Sequence, residues 1–284
     1  MFSIFKKAAR KKPRALGVLL CYNDGDILRD QIEYLLAQNH DVIAWDHGSD
    51  DDTAQVLDEY SHVLKQRKFI PRDFDFYKLY PEMSANVIEN FADRYDMISW
   101  PDQDEFLEGP HRDKSYYEYL TDVYNSPYTY VEFQNFVYWY TSEDDSIQTN
   151  LNKRIVHYSL FSPCAPRIRA WKAAVTNMRQ FNHNQLDGEK YPELFRLRHY
   201  PIRSEGHLYR RIQKDRASLE QSGANYHYNA MERNLPHILR IVPEMFHVDD
   251  GKGELDPFQK LNWDVVYSKE PISEQDIRFT NAPT

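Results

Sequence analysis

Polar residues that could do chemistry directly follow short apolar runs in three places. Asn23 and Asp24 follow ALGVLLCY, Asp46 opens DHGSDDDT after VIAW, and Asp102 and Asp104 stand two residues apart in WPDQDEF. Two carboxylates at that spacing can converge on one Mg²⁺ or Mn²⁺ ion, which takes one or two carboxylates together with phosphate oxygens and waters. The pattern predicts a divalent cation and a phosphate-bearing ligand.

A simpler interpretation of the segment that Asp46 opens is a turn followed by a helix. Ser49 or Asp50 would then cap the helix, and the acids that follow would suit the positive end of the helix dipole. The D-x-D spacing alone is also a common surface feature. The residues by themselves leave both interpretations open, because the choice depends on where the fold places these acids.

The first hundred residues alternate between apolar, strand-like runs and amphipathic helical spacing. The predicted elements are strand Ala15–Tyr22, helix Asp26–Gln38, strand Val42–Trp45, helix Asp52–Lys65, strand Phe74–Leu79, helix Glu82–Arg94 and strand Met97–Trp100. This alternation indicates right-handed βαβ units and a parallel sheet flanked by helices. Open parallel sheets bind ligands outside the carboxyl ends of their strands, which is where the acids stand.

The second half of the chain is less regular and predicts a mixed arrangement. Tyr128–Tyr140 is a long aromatic strand, Lys153–Tyr158 and Arg167–Trp171 are extended, and Ser204–Glu220 is a charged helix. The aromatic run favours core and cross-strand packing, with a platform for sugar rings as the alternative. No linker or repeat divides the chain, so we expect a single α/β domain.

The composition excludes several classes of protein. The 284 residues carry a net charge of −9, which argues against nucleic acid as the main partner. Only 9 glycines occur, with neither a G-x-G-x-x-G nor a P-loop motif, so dinucleotide and P-loop folds are not expected. Cys21 and Cys164 are too few for a disulfide framework and indicate a reduced, cytoplasmic setting.

The N-terminal segment 1–14 differs from the rest of the chain. It holds six basic residues and no acid, so the remainder has a net charge of −15 (−9 − 6). One expectation is a solvated tail, and the other is a short amphipathic helix on anionic lipid at the inner face of the membrane. No apolar run approaches the roughly 20 residues that span a bilayer.

Four segments resemble, in order, the family-2-type glycosyltransferases with the GT-A fold: CYNDGDILRDQIEYLLAQ, DVIAWDHGSDDDT, WPDQDEFL and RHYPIRSEGHLYRRIQKDR. The last two are similar to a subgroup with a D-x-D-E-F-L element and a closing His-Tyr…Arg-Ser segment. The resemblance covers residues 15 to about 216. It implies a nucleotide-diphospho-sugar transferase fold over 15–284, with a mostly parallel central sheet, a nucleotide-binding half at 15–110 and an acceptor-binding half at 111–284.

The resemblance also implies roles for individual residues. Asp104 would bind Mn²⁺ or Mg²⁺ with His199 as a second ligand, and Asp102 would contact the ribose or the metal. The implied nucleotide-sugar contacts are Asn23, Asp24 and Asp46 at the base and ribose, Asp51 as support for their loop, and Arg203, Ser204 and Lys153 at the diphosphate. By residue type alone, His199 is equally an ordinary packed histidine. The nucleotide (UDP, GDP or dTDP) stays open.

An inverting transferase needs a general base that takes the proton of the acceptor hydroxyl. The Glu-Asp motif that usually supplies it in this family is not clear here. Asp187 in HNQLDGE is the first candidate and Glu132 in YVEFQNF the second, with a plain loop or strand carboxylate as the alternative for each. We expect Glu143-Asp144-Asp145 at an exposed hairpin tip.

These observations predict a metal-dependent, inverting glycosyltransferase that uses a nucleotide-diphosphate sugar. Its acceptor would be a hydroxyl of a surface glycan, a polysaccharide or a lipid-linked precursor. The chain lacks the Q-x-x-R-W signature of processive synthases, so polymer extrusion is not expected. One alternative is a non-catalytic nucleotide-sugar or glycan-binding module. Another is a metal-dependent phosphoesterase, which is disfavoured because no histidines group near the acids.

Overall fold

The structure is a computed structural model that describes residues 10–144, 148–175, 186–213 and 226–272. The strands of this part of the chain are β1 (Ala15–Cys21), β2 (His40–Asp46), β3 (Leu64–Phe69), β4 (Met97–Ser99), β5 (Glu105–Glu108), β6 (Tyr130–Trp139), β7 (His157–Leu160), β8 (Arg167–Lys172), β9 (Phe195–Ile202) and β10 (His247–Val248). Its helices are α1 (Gly25–Ala37), α2 (Thr53–Glu59), α3 (Phe76–Asn90), α4 (Tyr116–Tyr124), α5 (Leu151–Arg154), α6 (Glu205–Gln213), α7 (Tyr226–Arg233), α8 (Leu235–Ile238) and α9 (Asp264–Tyr267).

These strands form one sheet with the order β10-β7-β6-β8-β4-β1-β2-β3, and β9 pairs with both β5 and β6. The neighbours β3, β2, β1 and β4 run parallel to one another. β8 is antiparallel to β4 and to β6, whereas β9 is parallel to β6. The predicted α/β class, with a parallel first half and a mixed second half, is confirmed.

Burial of apolar side chains explains why β1 lies inside the sheet. All seven of its residues are buried, and Leu28, Ile32 and Leu35 of α1 pack in one cluster with Leu19 and Val42 of the sheet. Because β1 pairs in parallel with β2 and β4, the carboxyl ends of all three strands meet at one edge. The polar residues that follow them are therefore neighbours.

Between β2 and β4, one predicted element is wrong and another is too long. Phe74–Leu79, predicted as a strand, enters α3, while the helix predicted over Asp52–Lys65 ends at Glu59 and is followed by β3. β3 is the last strand in the sheet order and reads LKQRKF. Basic residues are frequent on edge strands because they hinder pairing with another chain, and they leave no apolar run for a sequence pattern to detect.

The aromatic run in the second half forms core, which confirms the packing interpretation over the sugar platform. Phe133, Phe136, Tyr138 and Trp139 of β6 are all buried. Phe133 meets Phe195 of β9 edge to face, with ring centroids 5.4 Å apart. Aromatic pairs in this arrangement add to the stability that burial provides.

Other predictions for the second half need correction. The extended segment predicted over Lys153–Tyr158 starts as the helix α5 and becomes a strand only at His157. Asp144 is not at an exposed tip: it is buried and lies 3.0 Å from His157 Nδ1. Asp145 lies outside the described residues, as do residues 214–220 of the predicted helix that starts at Ser204.

Residues 10–14 of the basic segment lie against the rest of the protein. Arg10 forms an ion pair with Asp122, and the backbone N–H of Arg14 donates to Asp96 (2.8 Å). Residues 1–9 lie outside the described residues. None of the described helices is long and apolar enough to cross a membrane. Lipid contact through residues 1–14 stays a prediction.

Candidate functional site

The loops after β1 and β2 bind each other, and we call residues 22–25 and 47–53 the loop pair. Asn23 Nδ2 donates to Asp50 Oδ1 (2.6 Å), and the N–H of Asp50 donates back to Asn23 Oδ1 (2.9 Å). Ser49 Oγ donates to Asp46 Oδ1 (2.6 Å) and accepts from the N–H of Asn23 (3.0 Å). Asn23 and Gly48 have positive φ angles of 55° and 63°, so both turns are tight.

Asp51 joins the two loops from the other side. Its carboxylate accepts from the N–H groups of Gly25 (3.0 Å) and Thr53 (2.9 Å). Thr53 Oγ1 in turn accepts from the N–H of Asp24 (3.1 Å). A Cβ at Gly25 would lie 2.8 Å from the backbone nitrogen of Thr53, so only glycine allows this approach. The residues that the resemblance assigns to the nucleotide therefore share one rigid surface.

The helix-cap interpretation of this segment is wrong. α2 begins at Thr53, with Asp52 at the N-cap and no side-chain capping bond. Ser49 and Asp50 instead bind across to the first loop, and Asp50 also accepts from Arg72 Nη1 (2.7 Å). These acids hold two loops together. The sequence pattern within 46–53 alone cannot reveal this, because the partners lie in the other loop.

Arg203 follows β9 and is fully buried against carboxylates of the first loop. Its Nε and Nη2 donate to Asp26 at 2.8 and 2.7 Å, and Nη2 also donates to Asp24 Oδ1 (2.9 Å). Burial opposes the charged form, but Asp24, Asp26 and Asp104 hold the pKa of Arg203 above its ordinary value. The predicted role at the diphosphate needs correction, because these carboxylates already occupy the guanidinium.

Pairing of β5 with β9 places His199 beside Asp104. His199 lies opposite Glu105, and the N–H of Tyr200 donates to the carbonyl oxygen of Asp104 (2.8 Å). Asp104 Oδ2 is 3.4 Å from His199 Nε2 and 3.6 Å from Arg211 Nη1. Burial alone would raise the pKa of Asp104, but His199 and the neighbouring arginines hold it well below its usual value. We call Asp24, Asp26, Asp104, Arg203 and Arg211 the arginine cluster.

Asp102 is held by a second buried arginine. Arg169, whose side chain is 1% exposed, donates to Asp102 Oδ2 (2.7 Å) and pairs with both oxygens of Glu105 (2.7 Å each). Arg167 adds a contact of 3.2 Å to the fully buried Glu105. The side chain of Asp102 remains 34% exposed. Asp102 is therefore engaged by a buried arginine while its side chain stays partly exposed.

The spacing of Asp104 and His199 suits a shared divalent cation, and Arg211 and Arg203 lie 3.6 and 4.0 Å from the same carboxylate oxygen. The facing atoms of Asp104 and His199 are 3.4 Å apart, and two ligands each about 2.1 Å from one ion are separated by roughly 3 Å. His199 Nδ1 is buried and has no hydrogen-bond partner. Among the described residues, no group of three His, Cys, Asp or Glu could hold a metal ion. Arg169 engages Asp102, and the metal roles of Asp102, Asp104 and His199 stay a prediction.

A cavity of about 460 Å³ opens between the loop pair and α6. On the α6 side it is lined by His207, Arg210 and Arg211, none of which the sequence analysis singles out. His207 is buried and its Nδ1 accepts from the N–H of Arg203 (3.4 Å). Burial, together with Arg203 and Arg211, lowers the pKa of His207 to about 2, so its imidazole is neutral. In the sequence, Arg210 and Arg211 follow His207 by three and four residues, and this spacing places all three on one face of a helix. That spacing is the sequence pattern from which these residues could have been found.

Ser204 and Lys153, both predicted at the diphosphate, have other positions. Ser204 Oγ accepts from the N–H of His207 (3.0 Å) and so caps the start of α6. Lys153 is exposed on α5 and lines a different cavity. Its neighbour Arg154 donates to the carbonyl oxygen of Arg203 (3.3 Å). Successive residues of a helix point to different sides, so Lys153 is directed away from Arg203.

The structure does not bring the candidate base Glu132 to Asp104. Glu132 lies on β6, opposite Ile168 of the neighbouring strand β8. Its carboxylate is 3.2 Å from Lys190 Nζ, with which it forms a partly exposed ion pair. A base must reach the acceptor hydroxyl directly or through one water. The role of Glu132 stays a prediction without a contact that supports it.

Asp187 is exposed and lies near the opposite end of the sheet from Asp102. The next residue, Gly188, packs on Thr129, whose carbonyl oxygen accepts from the N–H of Lys172. Lys172 pairs with the first residue of β4, whereas Asp102 follows the last one. The length of β4 therefore separates the two acids. Asp187 stands between the D-x-D element and His199 in the sequence, where a base is expected. In the fold, the chain returns at this point to the start of β6, which places Asp187 away from Asp102.

Comparison with known proteins gives only distant similarities. No family model matches the chain, and no curated protein matches it. It is similar to S. aureus TarS, at 10% identity and a TM-score of 0.39, over 76% of this chain and 43% of that one. It is also similar to TarS 1-349 (9%, 0.37, over 76% and 71%) and to that fragment in complex with UDP (9%, 0.39, over 80% and 75%). The chain thus spans less than half of the first of these structures.

Proposed function

We propose that this protein is an inverting glycosyltransferase that moves a sugar from a nucleotide-diphosphate sugar to an acceptor hydroxyl. The observation that carries the proposal is the meeting of Asp104, His199 and Arg211 at the carboxyl edge of β1, β2 and β4, beside a cavity of about 460 Å³. Ligands of open α/β sheets bind at this edge. Cationic groups there suit a ligand that carries a diphosphate.

The loop pair supports binding of the nucleoside. Asn23, Asp50 and Asp51 line the cavity from this side, and their mutual hydrogen bonds hold them in place before a ligand arrives. Such preorganisation reduces the ordering cost of binding. Asp102, whose side chain is 34% exposed, would accept a hydrogen bond from a ribose hydroxyl.

Arg211 is the better candidate for the diphosphate than Arg203. Arg203 is fully buried among three carboxylates, those of Asp24, Asp26 and Asp104, whereas Arg211 is 26% exposed at the cavity and lies 3.6 Å from Asp104 alone among the described carboxylates. A guanidinium matches the geometry of phosphate oxygens. Arg210, exposed on the same helix, would add charge at the mouth. Arg203 is then a positioning residue that joins β9 to the start of α1.

Asp104 and His199 would hold a Mn²⁺ or Mg²⁺ ion together with phosphate oxygens and water. Such an ion neutralises the negative charge that develops on the departing nucleoside diphosphate. Arg211 contributes to the same neutralisation from α6. Neutral His207 is also at the cavity wall, and because its Nδ1 accepts from Arg203, its Nε2 carries the proton and can donate to a ligand.

The position of the candidate bases favours one alternative, a nucleotide-sugar or glycan-binding module without turnover. Glu132 is paired with Lys190, and the length of β4 separates Asp187 from Asp102. Such a module would bind the donor at the same cavity and release no nucleotide. Binding and turnover must therefore be measured on the same preparation.

The decisive experiment follows nucleotide release from a panel of UDP-, GDP- and dTDP-sugars, with Mn²⁺ or Mg²⁺ and a mixture of simple sugar acceptors. We expect release with one donor class, and at least a 100-fold lower rate for Asp104→Asn. Asp93→Asn is the matched control, because this side chain is 84% exposed and precedes β4, whereas Asp102 and Asp104 follow it. Its rate should equal that of the unmodified protein.

The outcomes separate the candidates. Donor binding in calorimetry without release supports the binding module. Failure of every donor to bind contradicts both functions, and an unchanged rate in Asp104→Asn contradicts the role of Asp104. Manganese binding by Asp104→Asn and His199→Gln, followed by electron paramagnetic resonance with nucleoside diphosphate present, tests the cation without depending on turnover.

We also propose a surface glycan or lipid-linked precursor as the acceptor and a membrane surface as a site of contact. The support is the sequence resemblance and the six basic residues of segment 1–14. Co-sedimentation with anionic and neutral vesicles tests the contact. We expect the full chain to bind anionic vesicles and a chain that lacks residues 1–14, and with them all six basic residues, to lose most of that binding. Equal binding by both chains contradicts it.

A further inference from the structure

A second cavity lies at the far end of α1 and β5 from Asp104. It has a volume of about 540 Å³, within the range of small-molecule sites. Tyr34 and Gln38 from the end of α1 and Glu108 from the end of β5 line it. α1 begins at the loop pair, and its 13 residues are about 20 Å long. The second cavity is therefore well removed from the proposed donor site.

Positive charge exceeds negative charge on the wall of this cavity, although the chain as a whole is acidic. The charged side chains that line it are Arg112, Lys114, Lys153, Arg196 and Arg198 against Glu108, Asp249 and Asp250. Five cations face three carboxylates on the wall itself, and two carboxylates behind it pair with two of these cations: Glu254 with Arg196 and Asp122 with Lys114. His111 lines the same wall. Among the described residues, Lys153 is thus the cation of this wall that no carboxylate pairs with.

Three guanidinium groups share the carboxylate of Glu108. Arg198 Nε lies 2.8 Å from Oε1, while Arg196 Nη2 and Arg112 Nε lie 3.5 and 3.8 Å from Oε2. Glu108 Oε2 and Arg196 Nη2 are buried and make no hydrogen bond. One carboxylate cannot accept hydrogen bonds from all the donors of three guanidinium groups, because each guanidinium presents five N–H donors. Donors for further oxygen atoms are thus concentrated at the base of the cavity.

The arginines are held rigidly. Arg112 binds Asp249 through two bonds of 2.7 Å, and Tyr138 donates to the same carboxylate (2.5 Å). Burial opposes ionisation of Asp249, but Arg112 and Tyr138 lower its pKa to about 2. Arg196 Nε donates to the carbonyl oxygen of Gly109 (3.0 Å). A charge-bearing wall fixed in this way is preorganised for a ligand.

Lys153 supplies charge with no partner among the described residues. It is exposed on α5 at the cavity, and within the described part of the chain no carboxylate lies within 4 Å of its ammonium group. Lys114, by contrast, has Asp122 at 3.1 Å. An unpaired ammonium beside shared guanidinium groups is an arrangement that an oxyanion would complete.

We propose that this cavity binds a small polar molecule through a phosphate or carboxylate group, held between Lys153 and the Arg196–Arg198 side of the wall. The ligand class follows from the Lys153 ammonium, which has no carboxylate partner among the described residues, and from the buried guanidinium atoms Arg196 Nη2 and Arg198 Nε, which make no hydrogen bond. The site is independent of the proposed transferase function: Lys153, which the resemblance assigns to the diphosphate, lines this second cavity, and no residue that lines the proposed donor cavity takes part in it.

Residue-resolved lysine acetylation followed by mass spectrometry tests the proposal on the full chain. The probes are inorganic phosphate and glucuronate, with glucose as the uncharged counterpart of glucuronate. We expect at least one anionic probe to slow acetylation of Lys153 several-fold and to leave exposed Lys78 on α3 unchanged. The effect should persist in Arg211→Gln, which separates this site from the proposed donor site. Protection of Lys153 by glucose as strong as by glucuronate, or no protection by either anion, overturns the proposal.

Calorimetry with the same probes gives a second measurement. In an Arg211→Gln background, Lys153→Gln should weaken anion binding about 3- to 10-fold, which is the effect of one charge-assisted contact. Lys78→Gln serves as the control and should bind as the Arg211→Gln protein does. Both are exposed lysines, so neither change threatens the fold. Equal affinity of the Lys153→Gln and Lys78→Gln proteins contradicts the assigned contact.

Discussion

The loop pair and the arginine cluster both use aspartates at the same edge of the sheet, yet they hold them in different ways. In the loop pair, exposed Asp51 accepts from backbone N–H groups, and exposed Asp50 accepts from Asn23 Nδ2 and from the partly exposed Arg72. In the arginine cluster, Asp104 and Asp24 meet a fully buried guanidinium supplied by Arg203. The difference teaches that aspartates at one edge of the sheet make solvent-exposed hydrogen bonds and ion pairs in the loop pair, but buried ion pairs in the arginine cluster.

The largest difference in stability between the two regions should come from removal of the buried Arg203 guanidinium. Arg203→Ala leaves Asp24 and Asp26 without their shared partner, so we expect the free energy of unfolding to fall by about 3–5 kcal/mol. Arg72→Ala, which removes the 40%-exposed partner of Asp50, should cost no more than about 1 kcal/mol. Urea denaturation of both variants measures the contrast. Equal losses would show that burial does not distinguish the regions.

Lowering the pH should produce the second largest difference in stability, through Asp104 of the arginine cluster. The pKa of Asp104 is held well below its usual value by His199, Arg211 and Arg203, although burial opposes this. As the pH falls below about 4, the unfolded chain takes up a proton at this aspartate before the folded chain does, so stability is lost.

Comparison with Asp104→Asn measures this contribution. At pH 7 the unmodified protein should exceed the variant in free energy of unfolding by about 2 kcal/mol, and the gap should narrow from pH 4 to pH 2. Asp93→Asn, at an exposed position, should show no such narrowing. A gap that stays constant over this range would mean that the folded and unfolded chains bind the proton alike.

The smallest expected effect belongs to the loop pair. Ser49→Ala removes the hydroxyl that donates to Asp46 and accepts from the N–H of Asn23, so we expect a loss of about 1–2 kcal/mol. Ser61→Ala, at an exposed position, should change stability by less than about 0.5 kcal/mol. Thermal unfolding of the two variants checks the difference. A loss as large as that of Arg203→Ala would erase the contrast between the regions.

Local patterns predicted the parallel half of the fold well but failed where an element lies at an edge. β1 is fully buried on both faces and reads as one apolar run, so its position followed directly from hydrophobicity. β3 carries Lys65, Arg67 and Lys68 at the sheet edge and was missed. The site shows the same limit. Arg169 and Glu105 form a buried pair across two strands, and nothing in their local sequence indicates it.

The sequence by itself determined the α/β class, the alternation of strands and helices in the first half, and the acids that follow the ends of the parallel strands. These depend on apolar runs and turn residues, which are local properties of the chain. Only the tertiary structure decided which acid meets which cation. Arg203 reaches Asp24 and Asp26 across 179 and 177 residues, Arg169 takes Asp102, and Lys153 turns to another cavity. Burial and strand register set these pairings, because a charge removed from water must find its partner in whatever chain segment the fold brings near.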